Sequence, residues 1–371
     1  MALFHREKKT KEYRYFDYTL LFVIIFLVAF GLVMLYSTSS YSAQTKLGDS
    51  AYYLKHQLFA ACLGFGGMLV CSHIDYHFWM RVSRLAYLIG FGLCFAVLFI
   101  GSELNGSSRW IKVGPVSVQP SEIAKVACII FFATLINKMP KQIGNFWTAV
   151  KIIGMSLPIV GVVALNNLST AVIILGIVVI MVFVASPKYL QFILMGAGAA
   201  SFLAVFILSA GYRAQRIQVW LHPEDYDKGY QTLQGLYAIG SGGLFGKGLG
   251  ESMQKLGYLP EAQNDMIFSI ICEELGLFGA ISVILLFILL LWRCMVIASN
   301  SPDLFGAMLV IGIMGHIALQ VILNIAVVTN TIPNTGITLP FISYGGTSIS
   351  ILLTEMGLAL SVSKQIRLDP I

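Results

Sequence analysis

The sequence predicts an all-α polytopic membrane protein, with ten transmembrane helices and a large extracytoplasmic loop between the seventh and eighth. Three observations carry this. Of the 371 residues, 57% are hydrophobic and only 11% charged, well under the roughly 25% of a soluble domain. Apolar runs of about 20 residues, the length that crosses a bilayer, recur along the chain. Lys and Arg bracket these runs unevenly. The net charge of +6 is spread over the connections between runs, which favours a membrane surface over nucleic acid as the partner of that charge.

The first span, 17–38, follows a basic, polar 1–16 segment and is too long for a cleavable signal core. Further spans follow at 56–73, 83–101, 121–138 and 150–165. The pair 150–165 and 168–186 is parted only by Asn166 and Asn167, which predicts a tight membrane hairpin. A seventh span covers 189–211. After the polar stretch 212–265 come 266–292, 304–328 and 347–363. Cys62, Cys71, Cys94, Cys128, Cys272 and Cys294 all lie in apolar runs and read as packing residues. Neither they nor the histidines show metal-ligand spacing. His316, inside a span, reads as a core polar group.

Placing the N-terminus in the cytoplasm puts Arg6, Lys8, Lys9, Lys11 and Arg14 inside. It also puts Arg81, Arg84, Lys138, Lys141, Lys151, Lys188, Arg293, Lys364 and Arg367 there, the larger share of the positive charge. Both termini are then cytoplasmic, and 102–120, 212–265 and 329–346 face outward. No linker or repeat divides the chain, so 1–371 reads as one membrane domain. The outer face has no ATP, so bond-making there requires an activated substrate or a gradient.

Four outer motifs hold the candidate chemistry. In 105–125, Arg109, Trp110 and Lys112 surround a Gly-Pro turn, and Gln119, Pro120 and Ser121 open a helix. Ser121 is the expected N-cap, Glu122 suits the positive helix end, and Lys125 shares its face. In 211–265, Arg213, Arg216 and Lys247 accompany an amphipathic stretch, 229–240, and a glycine run that permits tight backbone near a ligand. These cations match either lipid headgroups or a diphosphate. The P-loop spacing is absent.

Asp265 stands where the polar loop enters an apolar helix, with Glu261 four residues before it. It is either a helix-start charge or a general base whose proton affinity is raised by apolar surroundings. Glu273 and Glu274 sit about 12 Å further along and read as structural or as supports behind the site. In 330–348, two prolines and three glycines break the helix. Irregular backbone at this depth is tolerated where protein or a polar cavity covers it, so Ser343, Tyr344 and the Gly345 amide are candidate ligand contacts.

The runs GYQTLQGLYAIGSGGLFGKGLGESMQK, LPEAQNDMIFSIICEELG, ITLPFISYGGTS and SRWIKVGPVSVQPSEIAK together resemble the SEDS family (shape, elongation, division and sporulation). The resemblance covers nearly the whole chain and is nearer to the division and sporulation branches than to the elongation branch. It implies ten transmembrane helices and a peptidoglycan glycosyltransferase that polymerises lipid II at the outer face of a bacterial plasma membrane. It also implies a class B penicillin-binding protein as partner, alongside divisome or sporulation proteins, and places the catalytic acid on Asp265. Arg109, Lys112, Arg213, Arg216 and Lys247 become candidates to neutralise the departing diphosphate. Gln119, Ser121, Glu122, Lys125, Glu261, Ser343, Tyr344 and Gly345 complete the candidate substrate contacts. No cofactor is implied, and a divalent cation is left open.

The chain departs from the family pattern in three places. The usual E-P-D-L-G-T is Leu165-Asn166-Asn167-Leu168-Ser169-Thr170, which lacks the acid. H-T-D becomes Gln263-Asn264-Asp265, which keeps it. P-T-K-G becomes Pro333-Asn334-Thr335-Gly336, which lacks the cation. Two rival readings are a lipid II flippase and a silent scaffold recruiting the penicillin-binding protein. A flippase calls for polar groups at mid-membrane and on both faces, whereas the motifs here favour one face.

Overall fold

The computed structural model describes residues 15–104, 107–113, 116–193, 195–196 and 218–367. Long helices dominate, as the apolar runs require. In order they are α1 (Tyr18–Leu47), α2 (Tyr52–His73), α3 (His77–Ile100), α4 (Pro120–Lys138), α5 (Phe146–Gly154), α6 (Leu157–Asn166) and α7 (Leu168–Ala185). There follow α8 (Tyr230–Gly242), α9 (Ile267–Ser299), α10 (Leu304–Val328) and α11 (Gly346–Ser363).

Among the described residues, eight helices are long and apolar enough to cross a membrane, and the bent pair α5–α6 makes a ninth. The expected span 189–211 falls largely outside the described residues. Phe22, Phe26, Leu88, Phe99, Phe278 and Trp292 point outward from the helices. Such a surface would drive aggregation in water but is matched to hydrocarbon, and the protein is a multi-pass membrane protein.

Three expectations need correction. The fold is not purely helical. Residues 102–118 form a small antiparallel sheet, β1 (Ser102–Leu104), β2 (Ser107–Val113) and β3 (Val116–Val118), in the order β1-β2-β3. The fifth span is not one helix. It bends by 41° between α5 and α6, because Pro158 cannot donate to the carbonyl one turn back and must begin a new helix. Ser121 is not the cap of α4. Gln119 holds the extended cap position and Pro120 the first helical one, where a missing N–H costs nothing.

The hairpin at Asn166 and Asn167 forms as expected, and the Asn167 side chain caps α7 by accepting from the Thr170 N–H at 3.1 Å. One end of the bundle is tied by charge. Buried Asp17 accepts from the Leu20 N–H and from the Arg293 guanidinium, joining the start of α1 to the end of α9. Helices α2 and α11 pack at backbone distance. A Cβ on Gly64 would lie 2.9 Å from the Ser350 Cα, so small residues set this crossing.

Candidate active site

At the opposite end of the bundle these elements converge through a chain of hydrogen bonds. Arg109 Nε on β2 donates to the Asn166 carbonyl at the α6–α7 turn. Ser169 Oγ at the start of α7 donates to the Thr335 carbonyl. Thr347 Oγ1 on α11 donates to the Ser117 carbonyl on β3. The segment 330–346 is then sewn to the loop before α9. The Tyr344 N–H donates to the Gln263 carbonyl at 2.9 Å, and Ser343 Oγ donates to the Asn264 carbonyl at 2.6 Å. Gln57 on α2 closes the set, donating to the Ser343 carbonyl and accepting from the Gly345 N–H. Residues 339–343 of the broken loop are buried in protein, while Asn334 and Gly336 stay exposed.

Asp265 sits at the centre of this seam, only 7% exposed. Asn324 on α10 fixes its backbone. The Nδ2 group donates to the Asp265 carbonyl at 2.8 Å and to the Ile337 carbonyl at 2.7 Å. Among the described residues, the carboxylate itself has a single, long side-chain contact, from Gln231 Nε2 on α8 at 3.5 Å. Burial pushes the Asp265 carboxyl up to about 7. Its own N–H opposes the rise, the Glu261 carboxylate adds to it, and Gln231 opposes it slightly. Asp265 is therefore poised to exchange a proton near neutral pH. Glu261 is exposed and bonded to Asn264. Burial also pushes the neighbouring Tyr344 hydroxyl up to about 12, so it stays a hydrogen-bond donor at neutral pH.

The glycine run lies close to the backbone of α9, where a ligand contact had been expected. Helix α9 is interrupted at Gly276, whose φ of 66° and ψ of −163° are not helical. The interruption is stitched to the run by four main-chain bonds. The Lys247 and Gly248 N–H groups donate to the Glu273 and Glu274 carbonyls at 2.9 and 3.0 Å. The Leu277 and Phe278 N–H groups donate to the Gly243 and Leu244 carbonyls at 2.9 and 3.1 Å. Cβ atoms on Gly242, Gly246 or Gly276 would collide with the facing backbone. Phe278 lies about 16 Å along the helix from Ile267, so this segment is embedded beside α9 with every bond at the break satisfied.

Two ion pairs hold it there. Lys247 Nζ meets Glu273 Oε1 at 2.7 Å, and Glu273 also accepts from Ser252 and from the Met253 N–H. Lys255 Nζ meets Glu274 Oε1 at 2.7 Å, and Ser37 of α1 donates to the same carboxylate. Glu273 and Glu274 are thus structural. Lys247, expected as a diphosphate contact, has its charge engaged by Glu273.

The remaining expected residues divide. Ser343, Tyr344 and Gly345 belong to the seam beside Asp265, whereas Arg109 is held at the α6–α7 turn. Lys112 lies on β2. Ser121 lines a small cleft with Arg109, Asn166 and Asn167. Gln119 precedes it, half-buried. Glu122 and Lys125 pair with each other at 2.8 Å, both buried in the bundle. His316 pairs with Glu355 at 2.8 Å. Arg213 and Arg216 lie outside the described residues.

Gln231, Asn324 and Gln57 were not expected. A lone Asn in the apolar run VILNIAVV was the available signal for Asn324. Among the described residues, His222, Glu224 and Asp225 are the one group of such side chains close enough to hold a metal ion, and all three are exposed.

Matches to known proteins extend over nearly the whole chain. The family model described as cell cycle protein, which unites FtsW, RodA and SpoVE, matches residues 18–368. Stage V sporulation protein E of Bacillus subtilis (strain 168) is 41% identical over 357 residues, covering 95% of this chain and 98% of that protein. A probable peptidoglycan glycosyltransferase FtsW of Trichlorobacter lovleyi is 37% identical over 364 residues, covering 96% and 95%. Among solved structures, the rod shape determining protein RodA of Thermus thermophilus superposes with a TM-score of 0.71 at 27% identity, covering 95% and 98%. A chain of a peptidoglycan synthase complex, described for its coordination of polymerization and crosslinking, gives 0.79 at 27% identity, covering 95% and 98%.

Proposed function

The chain belongs to the FtsW, RodA and SpoVE family of cell cycle proteins, and from that premise we propose that it is a peptidoglycan glycosyltransferase. In this reading it polymerises lipid II at the outer face of the plasma membrane, for division or sporulation. The observation that carries the mechanism is a buried carboxylate, Asp265, with no ion-pair partner among the described residues, whose proton affinity burial has raised to about 7.

Asp265 takes the proton from the 4-hydroxyl of the acceptor sugar. The oxygen attacks the donor's anomeric carbon, the bond to the diphosphate breaks, and its electron pair leaves with the polyprenyl diphosphate. A single base suffices, with inversion at carbon, because a diphosphate is stable as the free anion. Arg109, oriented on the Asn166 carbonyl, is placed on the same face to meet the leaving group's charge. Lys112, Arg213 and Arg216 are further candidates, and Tyr344 and Ser343 line the seam. Lys247 serves the fold through Glu273.

The proposal includes ten spans, with 189–211 as the seventh, and one membrane domain over 1–371. A 1–16 tail and both termini lie in the cytoplasm, and 212–265 forms the large outer loop. A class B penicillin-binding protein, acting with division or sporulation proteins, supplies crosslinking. The solved relative within a synthase complex supports that partner. The test is polymer formation from lipid II by the purified protein and by Asp265→Asn, each alone and with the transpeptidase. Glycan from the wild type only supports the reading. Lipid translocation without polymer, or full activity of Asp265→Asn, overturns it.

A further inference from the structure

The amides around Asp265 have a fixed order. The Gly336 N–H donates to Asn334 Oδ1 at 3.1 Å. With that oxygen engaged, the Asn334 Nδ2 group points the other way and donates to Gln231 Oε1 at 3.1 Å. With its own oxygen engaged in turn, Gln231 presents Nε2 to Asp265 Oδ1. Flipping any one amide would set two oxygens, or two NH2 groups, against each other. A single backbone N–H thus sets the direction of the whole chain, through two side chains, to one carboxylate oxygen.

The two oxygens of Asp265 are therefore not equivalent. Oδ1 faces the amide donor. Oδ2 faces Gly336, where an added Cβ would lie 3.9 Å away. Gly336 and Asn334 are exposed, so this side opens to the outer surface while the rest of the residue is buried. The charged group acting on Asp265 is Glu261 of its own loop. Helix α8 and the segment 330–337 bring it neutral amides.

We infer that Asn334 and Gln231 form a positioning relay that reserves Oδ2 as the proton-accepting oxygen and holds Oδ1 as the anchored one. This rests on the reading of Asp265 as the base. Neither residue touches the reacting atoms. Gln231 acts through Asp265, and Asn334 acts through Gln231. The 3.5 Å contact is long for a hydrogen bond. It tightens as the carboxylate gains its charge, since bonds to ions are shorter and stronger. The relay thereby favours the ionised, proton-accepting form.

The test is the rate of lipid II polymerisation against pH, using the full chain with its transpeptidase where that is needed for turnover. Gln231→Met is expected to lower kcat roughly tenfold, the rate equivalent of one hydrogen bond to an ion, with KM little changed. Its acid limb moves to higher pH, because a donor that favoured the charged form is gone. Asn334→Ala, on the exposed rim, moves the limb the same way by less, and adds nothing in a Gln231→Met background.

An unmoved limb in both variants, or losses that multiply in the double variant, overturns the relay. Should Gln231→Met fail to fold, Asn334→Ala decides alone. The base reading fails separately: Asp265→Asn with wild-type activity sinks it. Asp265→Asn inactive beside a wild-type-like Gln231→Met sinks only the relay.

Discussion

Replacing Asp265 by Asn should stabilise the protein, and by an amount that depends on pH. An isolated carboxylate has a reference value of 3.8, and in the folded protein burial raises it to about 7. Between those values the native state holds the proton more tightly than the unfolded chain. Wild-type stability therefore falls as pH rises through the window from about 4 to about 7. Asn has nearly the same shape and carries no charge, so it lacks this decline. At about 1.36 kcal/mol per unit, the gap between variant and wild type opens from near zero below pH 4 to about 4 kcal/mol above pH 7. The assay is thermal unfolding of both proteins in the same detergent from pH 4 to 8. Every other titrating group is common to the pair and cancels in the difference. A gap that stays constant across the range, or an Asn variant that is less stable at pH 8, refutes the claim that the carboxylate is buried and unpaired.

Two further predictions concern the embedded segment. Gly276→Ala should lower the melting temperature sharply and abolish polymerisation. A side chain there must hold φ at 66° while its Cβ meets Gly246 and Leu244. Unfolding and activity assays check this, and a variant with native melting would contradict the stitched geometry. Lys255→Met should cost about 3–5 kcal/mol, because it leaves Glu274 buried without its partner. Adding Glu274→Gln should recover most of that in a melting experiment.

The spans were legible because hydrocarbon demands long apolar runs, and each such run among the described residues became helix. The break at Pro158 was hidden by the continuous apolar character around it. The small sheet was hidden because β1 and β3 are only three residues each, too short for alternation to register. Glu273 and Glu274 pair with Lys247 and Lys255, but those lysines lie upstream across a glycine run, and nothing local pairs them. The same run was read as a cradle for a ligand. Its positive-φ glycines instead admit the backbone of α9, a partner visible only once the chain is folded. Asp265 stood out because an acid entering an apolar helix is costly. Gln231 and Asn324 did not, since their roles come from long-range contacts with Asp265 and with the 330–346 segment. Ser169 bonds the Thr335 carbonyl, so the stretches that lack the family's acid and cation, around Asn167 and Thr335, are neighbours in space.

The most direct measurement is the pH dependence of lipid II polymerisation by the purified protein with its transpeptidase. If Asp265 is the base, kcat/KM, which reports the free enzyme, rises with an acid limb near pH 7, and Asp265→Asn abolishes turnover across the range. An acid limb in the ordinary carboxylate range near pH 4, or an Asp265→Asn enzyme that retains the wild-type profile, would contradict it.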